Sequence, residues 1–327
     1  MITLLSTEQI YLIIIIVLAS ILGILALYPI VVYPFIARQI YSLHLERRTH
    51  ELWGRVCSEP NDYEQRIMRD KGLEWAKRNA EFKEDLHIVS EGYNLYGEYY
   101  NYHKERTILI IAGRAESLCY GYYYAPIYER LGYNILLVDK RAHGLSDGKY
   151  EDCGQKSYID YINWAKYIHD NYGINHIGFH AICIGSSAAL YACSDEKTPD
   201  YIEFEIADGM YKTFRESFKN HMKVAKRSTF IVLDEILLNA KIHSGVNLIT
   251  DGPHYRIKKM HKPILFIYTN LDKFSTPKDG KALYERCPSK IKDIKFFDKG
   301  GHSHVRINNE EKYDAVVKEF LDKVYSE

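Results

Sequence analysis

Asn175-His176-Ile177-Gly178-Phe179-His180-Ala181-Ile182-Cys183-Ile184-Gly185-Ser186-Ser187-Ala188-Ala189-Leu190 reads as a short strand, one sharp turn centred on Cys183, and a helix. A residue at the tip of a strand-to-helix turn is held in strained backbone geometry. The positions two before and two after it must therefore be small, so that strand and helix can pass closely. Ala181 and Gly185 meet that demand. The amides that open the helix point at the turn, which lowers a thiol's pKa and helps hold a developing oxyanion. The stretch has the layout of a nucleophile elbow with a thiol in place of the usual hydroxyl; the competing reading is a buried core cysteine.

Outward from the elbow, continuous apolar runs alternate with helix-length segments. Residues 107–112, 134–138, 176–182, 201–206, 263–268 and 294–297 are expected strands, preceded by a hairpin of 85–90 and 94–100 around Glu91-Gly92-Tyr93. The alternation predicts an α/β chain with a doubly wound, mostly parallel sheet and helices on both faces. It lapses between Gly209 and Met260, where a mainly helical stretch is expected to cap the carboxyl ends of the strands.

Residues 10–37 carry no charge, enough for a membrane-spanning helix of roughly 20 residues or more. Glu8 precedes the run, and the run is too long for a cleaved signal peptide, so a retained anchor is expected. Arg38, Arg47 and Arg48 follow it, which by the positive-inside rule places the C-terminal bulk in the cytoplasm. Pro29 and Pro34 are expected to kink or end the helix near its far end. Residues 1–38 thus read as a transmembrane anchor, the charged stretch 39–84 as a helical juxtamembrane linker, and 85–327 as the main domain, with its cap at about 209–260.

The 327 residues are 46% hydrophobic, with 43 basic and 43 acidic side chains, enough for one large domain plus an appendage. With no basic surplus to neutralise phosphates, a nucleic-acid partner is not expected. The 29 tyrosines read as core and surface filler. Cys57, Cys119, Cys153, Cys183, Cys193 and Cys287 form no CxxC or CxxH pair, which argues for free thiols in a reducing compartment and against a zinc or redox site. Cys57 and Cys287 lie in polar helical surroundings and read as structural. With no metal-ligand cluster, phosphate-binding glycine loop or dinucleotide fingerprint, no cofactor or metal is expected.

Five motifs then fall in one order. Ile111-Ala112-Gly113-Arg114-Ala115-Glu116-Ser117 follows the third strand, and Val138-Asp139-Lys140-Arg141-Ala142-His143-Gly144-Leu145-Ser146-Asp147-Gly148 follows the fourth. The elbow comes next, then Phe266-Ile267-Tyr268-Thr269-Asn270-Leu271-Asp272-Lys273-Phe274-Ser275-Thr276-Pro277, and last Gly300-Gly301-His302-Ser303-His304. On these motifs the segment from about Leu86 onward resembles an α/β-hydrolase. The first motif resembles the oxyanion loop of bacterial lysophospholipases and monoacylglycerol lipases. The second resembles that fold's D-x-R-G-H-G-x-S-x-G signature, with Ala142 in place of a glycine.

The resemblance implies a triad of Cys183 as nucleophile, Asp272 as acid and His302 as base, in the fold's chain order. His302 would deprotonate the thiol or hold it as a thiolate–imidazolium pair and later protonate the leaving group, while Asp272 fixes the imidazole tautomer. The oxyanion hole falls to the backbone amides of Arg114 and Ile184. His304 is a competing base, Asp208 at the end of the sixth strand a competing acid or a helix cap, and Ser187 a competing nucleophile placed inside the helix. His143 is expected to serve its turn by hydrogen bonding, and Arg114 and Glu116 to pair near the pocket mouth.

Cysteine in place of serine is the departure that matters. Dienelactone hydrolases share the fold and use a cysteine nucleophile, so the resemblance accommodates a thiol. Three readings follow. The first is a membrane-anchored cytoplasmic hydrolase of acyl esters or thioesters, with lipid-derived acyl groups among its small-molecule substrates. The second is an acyltransferase using the same triad, and the third a non-catalytic binding or scaffold protein of that fold.

Overall fold

The apolar runs become the strands of one sheet. The computed structural model describes residues 6–47 and 63–326. Its strands are β1 (Lys83–Ser90), β2 (Tyr93–Tyr100), β3 (Arg106–Ile111), β4 (Asn134–Val138), β5 (His176–Ile182), β6 (Ile202–Asp208), β7 (Ile264–Thr269) and β8 (Lys292–Phe297). Across the sheet they run β1-β2-β4-β3-β5-β6-β7-β8. β2 pairs antiparallel with β1 and β4, and every pairing from β4 to β8 is parallel. β3 and β4 are buried along nearly their whole length, as strands covered on both faces must be. Glu91 at φ 48° and Gly92 at φ 80° supply the paired positive φ of a tight hairpin turn.

The helices are α1 (Thr7–Leu45), α2 (Tyr63–Arg78), α3 (Ala125–Arg130), α4 (Tyr158–Tyr172), α5 (Ile184–Ser194), α6 (Phe214–Val224), α7 (Val232–His243), α8 (Pro253–Arg256), α9 (Pro277–Arg286), α10 (Val305–Asn308) and α11 (Glu310–Val324). α2, α3, α11 and the 3-10 turn Leu118–Tyr123 cover one face of the sheet. α4, α5 and α9 cover the other. Between β6 and β7, α6 and α7 form a cap with its own apolar cluster. After β4 the chain crosses to the far side of β3, so the strand order reverses between β3 and β5, the place where doubly wound sheets open a crevice. Ile111 and Ala181 are register partners there. The loop leaving β3 and the turn leaving β5 therefore emerge side by side.

α1 passes through Pro29 and Pro34 without ending. Each proline removes one amide, freeing only the carbonyls of Leu25 and Ile30, and long apolar helices tolerate such losses. The helix is long and apolar enough to cross a membrane, and its large side chains from Ile10 to Val31 are exposed. Its last turns differ. Ala37, Ile40, Tyr41 and Leu45 are buried against Phe214, Phe218, Val232, Leu233 and Ile236 of the cap, where full burial of Ile40 and Leu45 is worth about 1.5–3 kcal/mol each.

The expected division at residue 38 falls inside this one continuous helix. Of the expected linker, residues 48–62, with Arg48 and Cys57, lie outside the described residues. α2 packs Met68 and Trp75 into the same core as the strands, and the Trp75 indole donates to Glu129 at 2.6 Å. Cys119, Cys153, Cys183, Cys193 and Cys287 are free. Cys287 is buried beside the end of α9, with its sulfur 3.6 Å from the Met260 carbonyl, rather than in the polar surroundings expected of it.

Candidate active site

Cys183 adopts φ 53° and ψ −114°, outside the regions open to an unstrained L-residue. Its amide donates to the Asp208 carbonyl at the end of β6, at 2.8 Å. A Cβ at Gly185 would lie 2.7 Å from the carbonyl oxygens of both Ile111 and Ala112, so only glycine lets α5 pass β3 this closely. α5 begins at Ile184, and the amides of a first helical turn have no helical acceptor. Neither the Ile184 amide nor the Arg114 amide donates to a protein group among the described residues.

His302 and Asp272 come from the loops after β8 and β7. His302 Nδ1 is 2.6 Å from Asp272 Oδ2. The other oxygen of Asp272 accepts the amides of Phe274 and Ser275 at 2.7 and 2.9 Å, which fixes the carboxylate. His302 Nε2 is buried without a well-formed hydrogen bond among the described residues, yet ring and thiol are close enough to shift each other's ionisation. Burial favours the neutral imidazole, but Asp272 and Cys183 outweigh it and hold His302 well above its ordinary value. Burial likewise pushes the Cys183 thiol up, and His302, with Arg114 behind it, brings it below its ordinary value. The pair favours thiolate and imidazolium.

The competing residues are occupied elsewhere. His304 Nε2 lies 2.7 Å from Gln65 Oε1 on α2. The Ser187 hydroxyl is buried, donating to the Ile184 carbonyl at 2.7 Å and lying 2.9 Å from the Tyr211 hydroxyl. His143 Nδ1 lies 2.9 Å from the Arg141 carbonyl, within its own turn. Asp208 accepts from the Tyr313 hydroxyl at 2.8 Å. Burial pushes its carboxyl up to about 7, with Tyr313 and His302 acting against the rise and Asp272 adding to it.

The loop after β3 differs from expectation. Arg114 reaches across to His221 on α6, its guanidinium 3.3 Å from the ring nitrogen. Glu116 turns inward and accepts the Gly113 amide at 2.9 Å. A Cβ at Gly113 would lie 2.5 Å from that carboxylate oxygen and 3.4 Å from Cys183 Cβ, so Glu116, the loop and the nucleophile adjoin. Burial pushes Glu116 up to about 7, opposed by Lys140, the Gly113 amide, His302 and Arg114. Lys140, itself buried, donates to the Gly113 carbonyl at 2.6 Å and to Glu151 at 2.9 Å, tying the loop to the segment after β4. Lys140 stands at a variable place of its motif and Glu151 outside any motif, so no local signal marks the pair. Among the described residues no group of three or more His, Cys, Asp or Glu side chains is arranged to hold a metal ion.

No protein-family model matches this chain. It is 28% identical over 242 residues to YqkD, an uncharacterised protein of Bacillus subtilis, spanning 71% of this chain and 77% of that protein. Among solved structures it is similar to the esterase Pf2001 of Pyrococcus furiosus, at 24% identity and a TM-score of 0.63 over 76% of this chain and 94% of that one. It is also similar to a serine hydrolase, CCSP0084, from Cycloclasticus zankles, at 15% identity and a TM-score of 0.52 over 75% of this chain and all (100%) of that one. These likenesses show the α/β-hydrolase fold.

Proposed function

We propose that the chain is a membrane-anchored hydrolase of acyl esters or thioesters acting through Cys183, His302 and Asp272. The observation that carries this reading is a half-buried imidazole bonded to Asp272 at 2.6 Å and electrostatically coupled to the thiol at the elbow. The Cys183 thiolate attacks the acyl carbonyl, and the amides of Arg114 and Ile184 hold the oxyanion. The imidazolium of His302 gives its proton to the departing alkoxide or thiolate, leaving a thioester on Cys183. The now neutral ring takes a proton from water as that water attacks, and collapse returns the thiolate beside the imidazolium. A relative named as an esterase on the same fold supports an ester substrate.

Anchoring is supported by the two halves of α1. A segment removed as a signal sequence has no reason to be built into the mature domain, and here the last turns of the apolar helix are buried in the cap. Arg38 and Arg47 follow the apolar run, which supports a cytoplasmic domain. The test is hydrolysis by the full chain in detergent, with acyl esters and thioesters of graded chain length. Wild type is expected to accumulate a thioester adduct at Cys183, visible by mass, under acid quench. Loss of both adduct and hydrolysis in Cys183→Ala supports the reading, and undiminished hydrolysis in that variant would refute it. Diversion of the acyl group to an added amine would instead favour a transferase.

A further inference from the structure

A cavity of about 650 Å³ opens between α1 and the cap, lined by Tyr28, Tyr33, Phe35, Ile36 and Ile40 of α1 and by Arg227 and Val232 of the cap, among others. This is within the range of small-molecule sites, about 300–1,000 Å³. Its position along α1 is informative. Tyr11 and Tyr28 are exposed and lie within the bare apolar stretch, which runs on past Tyr28 through Ile30 and Val31. Seventeen residues at 1.5 Å each separate them by about 26 Å, close to the thickness of a bilayer's hydrocarbon core. Aromatic side chains so spaced suit the two interfaces of a membrane. The cavity begins at the second of them, so its mouth adjoins the last exposed apolar turns of α1.

The cap side of the mouth is suited to that level. Residues 223–228 run Lys-Val-Ala-Lys-Arg-Ser, all exposed, and Phe230 beyond them is exposed as well. Among the described residues the guanidinium of Arg227 makes no hydrogen bond or ion pair, so the cavity has an uncommitted cation at its rim. Cations near a lipid surface attract anionic headgroups. Inward, the walls are apolar. Ile40 and Val232 belong to one apolar cluster that also contains Ile184, and Ile36 and Cys183 pack against it. The cavity wall and the nucleophile therefore border the same buried apolar cluster.

We propose that this cavity receives an anionic glycerophospholipid from the adjoining leaflet, its acyl chain between α1 and α7 and its phosphate at Arg227, beside the apolar cluster against which Cys183 packs. This deepens the esterase reading and rests on it. It makes α1 a wall of the substrate site as well as an anchor, and makes the bilayer the source of substrate.

The test uses the full chain in vesicles of phosphatidylglycerol and phosphatidylcholine, assayed for fatty acid release and, in parallel, for hydrolysis of a soluble butyrate ester. Ser228→Trp places an indole in the cavity mouth from an exposed position, so folding is not at risk. The ratio of lipid to butyrate turnover is expected to fall tenfold or more in Ser228→Trp, and preference for phosphatidylglycerol to fall at least threefold in Arg227→Glu. Unchanged ratios would overturn the proposal. If wild type hydrolyses neither substrate, the esterase reading fails. The site is then read separately, by photocrosslinking a diazirine-bearing acyl phosphatidylglycerol to Cys183→Ala in the same vesicles. Adducts concentrated at residues 33–43 and 227–232 and suppressed by Ser228→Trp support the cavity, whereas adducts spread evenly along α1 overturn it.

Discussion

The two ends of α5 each carry a thiol, and burial acts on both in the same direction. At the C-terminal end, Cys193 is pushed well above its ordinary value by burial, helped by Glu205 and only weakly opposed by Lys262. At the N-terminal end, Cys183 meets the same penalty, and His302 and Arg114 overturn it. What separates the two thiols is the His302 imidazole, held by Asp272, with Arg114 behind it. Replacing Cys183 and Cys193 in turn gives the sharpest contrast. Cys183→Ala is expected to lower kcat by about 10⁴-fold or more, whereas Cys193→Ala, which removes a buried sulfur far from the site, is expected to stay within about twofold. Steady-state hydrolysis of one ester by both variants checks this, and equal losses would erase the distinction.

A second way to press the comparison is through pH. Cys183 has a depressed value, so its thiolate persists to lower pH than an ordinary thiol's and is lost as pH falls through that value. His302 has a raised value, so its imidazolium persists above the ordinary imidazole range and is lost as pH rises. The thiol and ring titrate as a coupled pair, and activity should therefore trace a bell whose acid limb belongs to thiolate loss and whose alkaline limb belongs to imidazolium loss. Iodoacetamide should modify Cys183 at pH 6.5 and leave Cys193 untouched in the folded chain. His302→Ala removes the charge that opposes burial, so the alkylation rate of Cys183 at that pH should drop by about tenfold or more. Peptide mass mapping after timed quench distinguishes the two sulfurs, and no change on losing His302 would break the account of the thiol.

The start of α5 is also where backbone packing is tightest. At Gly185 an added Cβ meets two carbonyl oxygens at 2.7 Å, both belonging to backbone that cannot swing aside. Gly185→Ala should cost about 1–3 kcal/mol of stability and lower kcat by displacing the elbow from the loop after β3. Ala192, in the last turn of the same helix, tolerates no such test of the active site because it adjoins none of these groups. Thermal unfolding paired with kcat for Gly185→Ala reads both effects, and a drop in stability with kcat intact would detach the glycine from the chemistry.

What could be read from residue order is what depends on local pattern. Eight strands and the elbow follow from apolar runs and small residues at fixed offsets, the resemblance implied the set Cys183, Asp272 and His302, and the structure brings these three side chains together at the carboxyl ends of the strands. What could not be read depends on contacts distant in sequence. Lys140 and Glu151 clasp the loop at Gly113 from another loop, and Arg114 turns to His221 on the cap instead of to Glu116. α1 illustrates the same limit. Its prolines are strong local stop signals, but the helix, whose last turns pack against the cap, continues past them to Leu45.

The smallest expected effect compares two strained backbones. Cys183 at φ 53° and Ala142 at φ 63° both hold a side chain in the left-handed region. In the proposed mechanism the strain at Cys183 aims the reacting sulfur. Ala142 stands in the turn after β4, where Asp139 accepts the Leu118 and Leu145 amides at 2.7 and 2.8 Å, and its methyl touches none of the triad. The motif it resembles carries glycine there, the residue for which this conformation is free. Glycine–alanine exchanges at positive φ favour glycine even after its extra freedom in the unfolded chain is counted. Losing a buried methyl trims the gain. Ala142→Gly should therefore raise stability by about 0.5 kcal/mol, roughly 1–2 °C in Tm, with kcat unchanged. A lower Tm would show that the methyl's packing outweighs the strain, and a changed kcat would show that this turn, like the elbow, is coupled to the site.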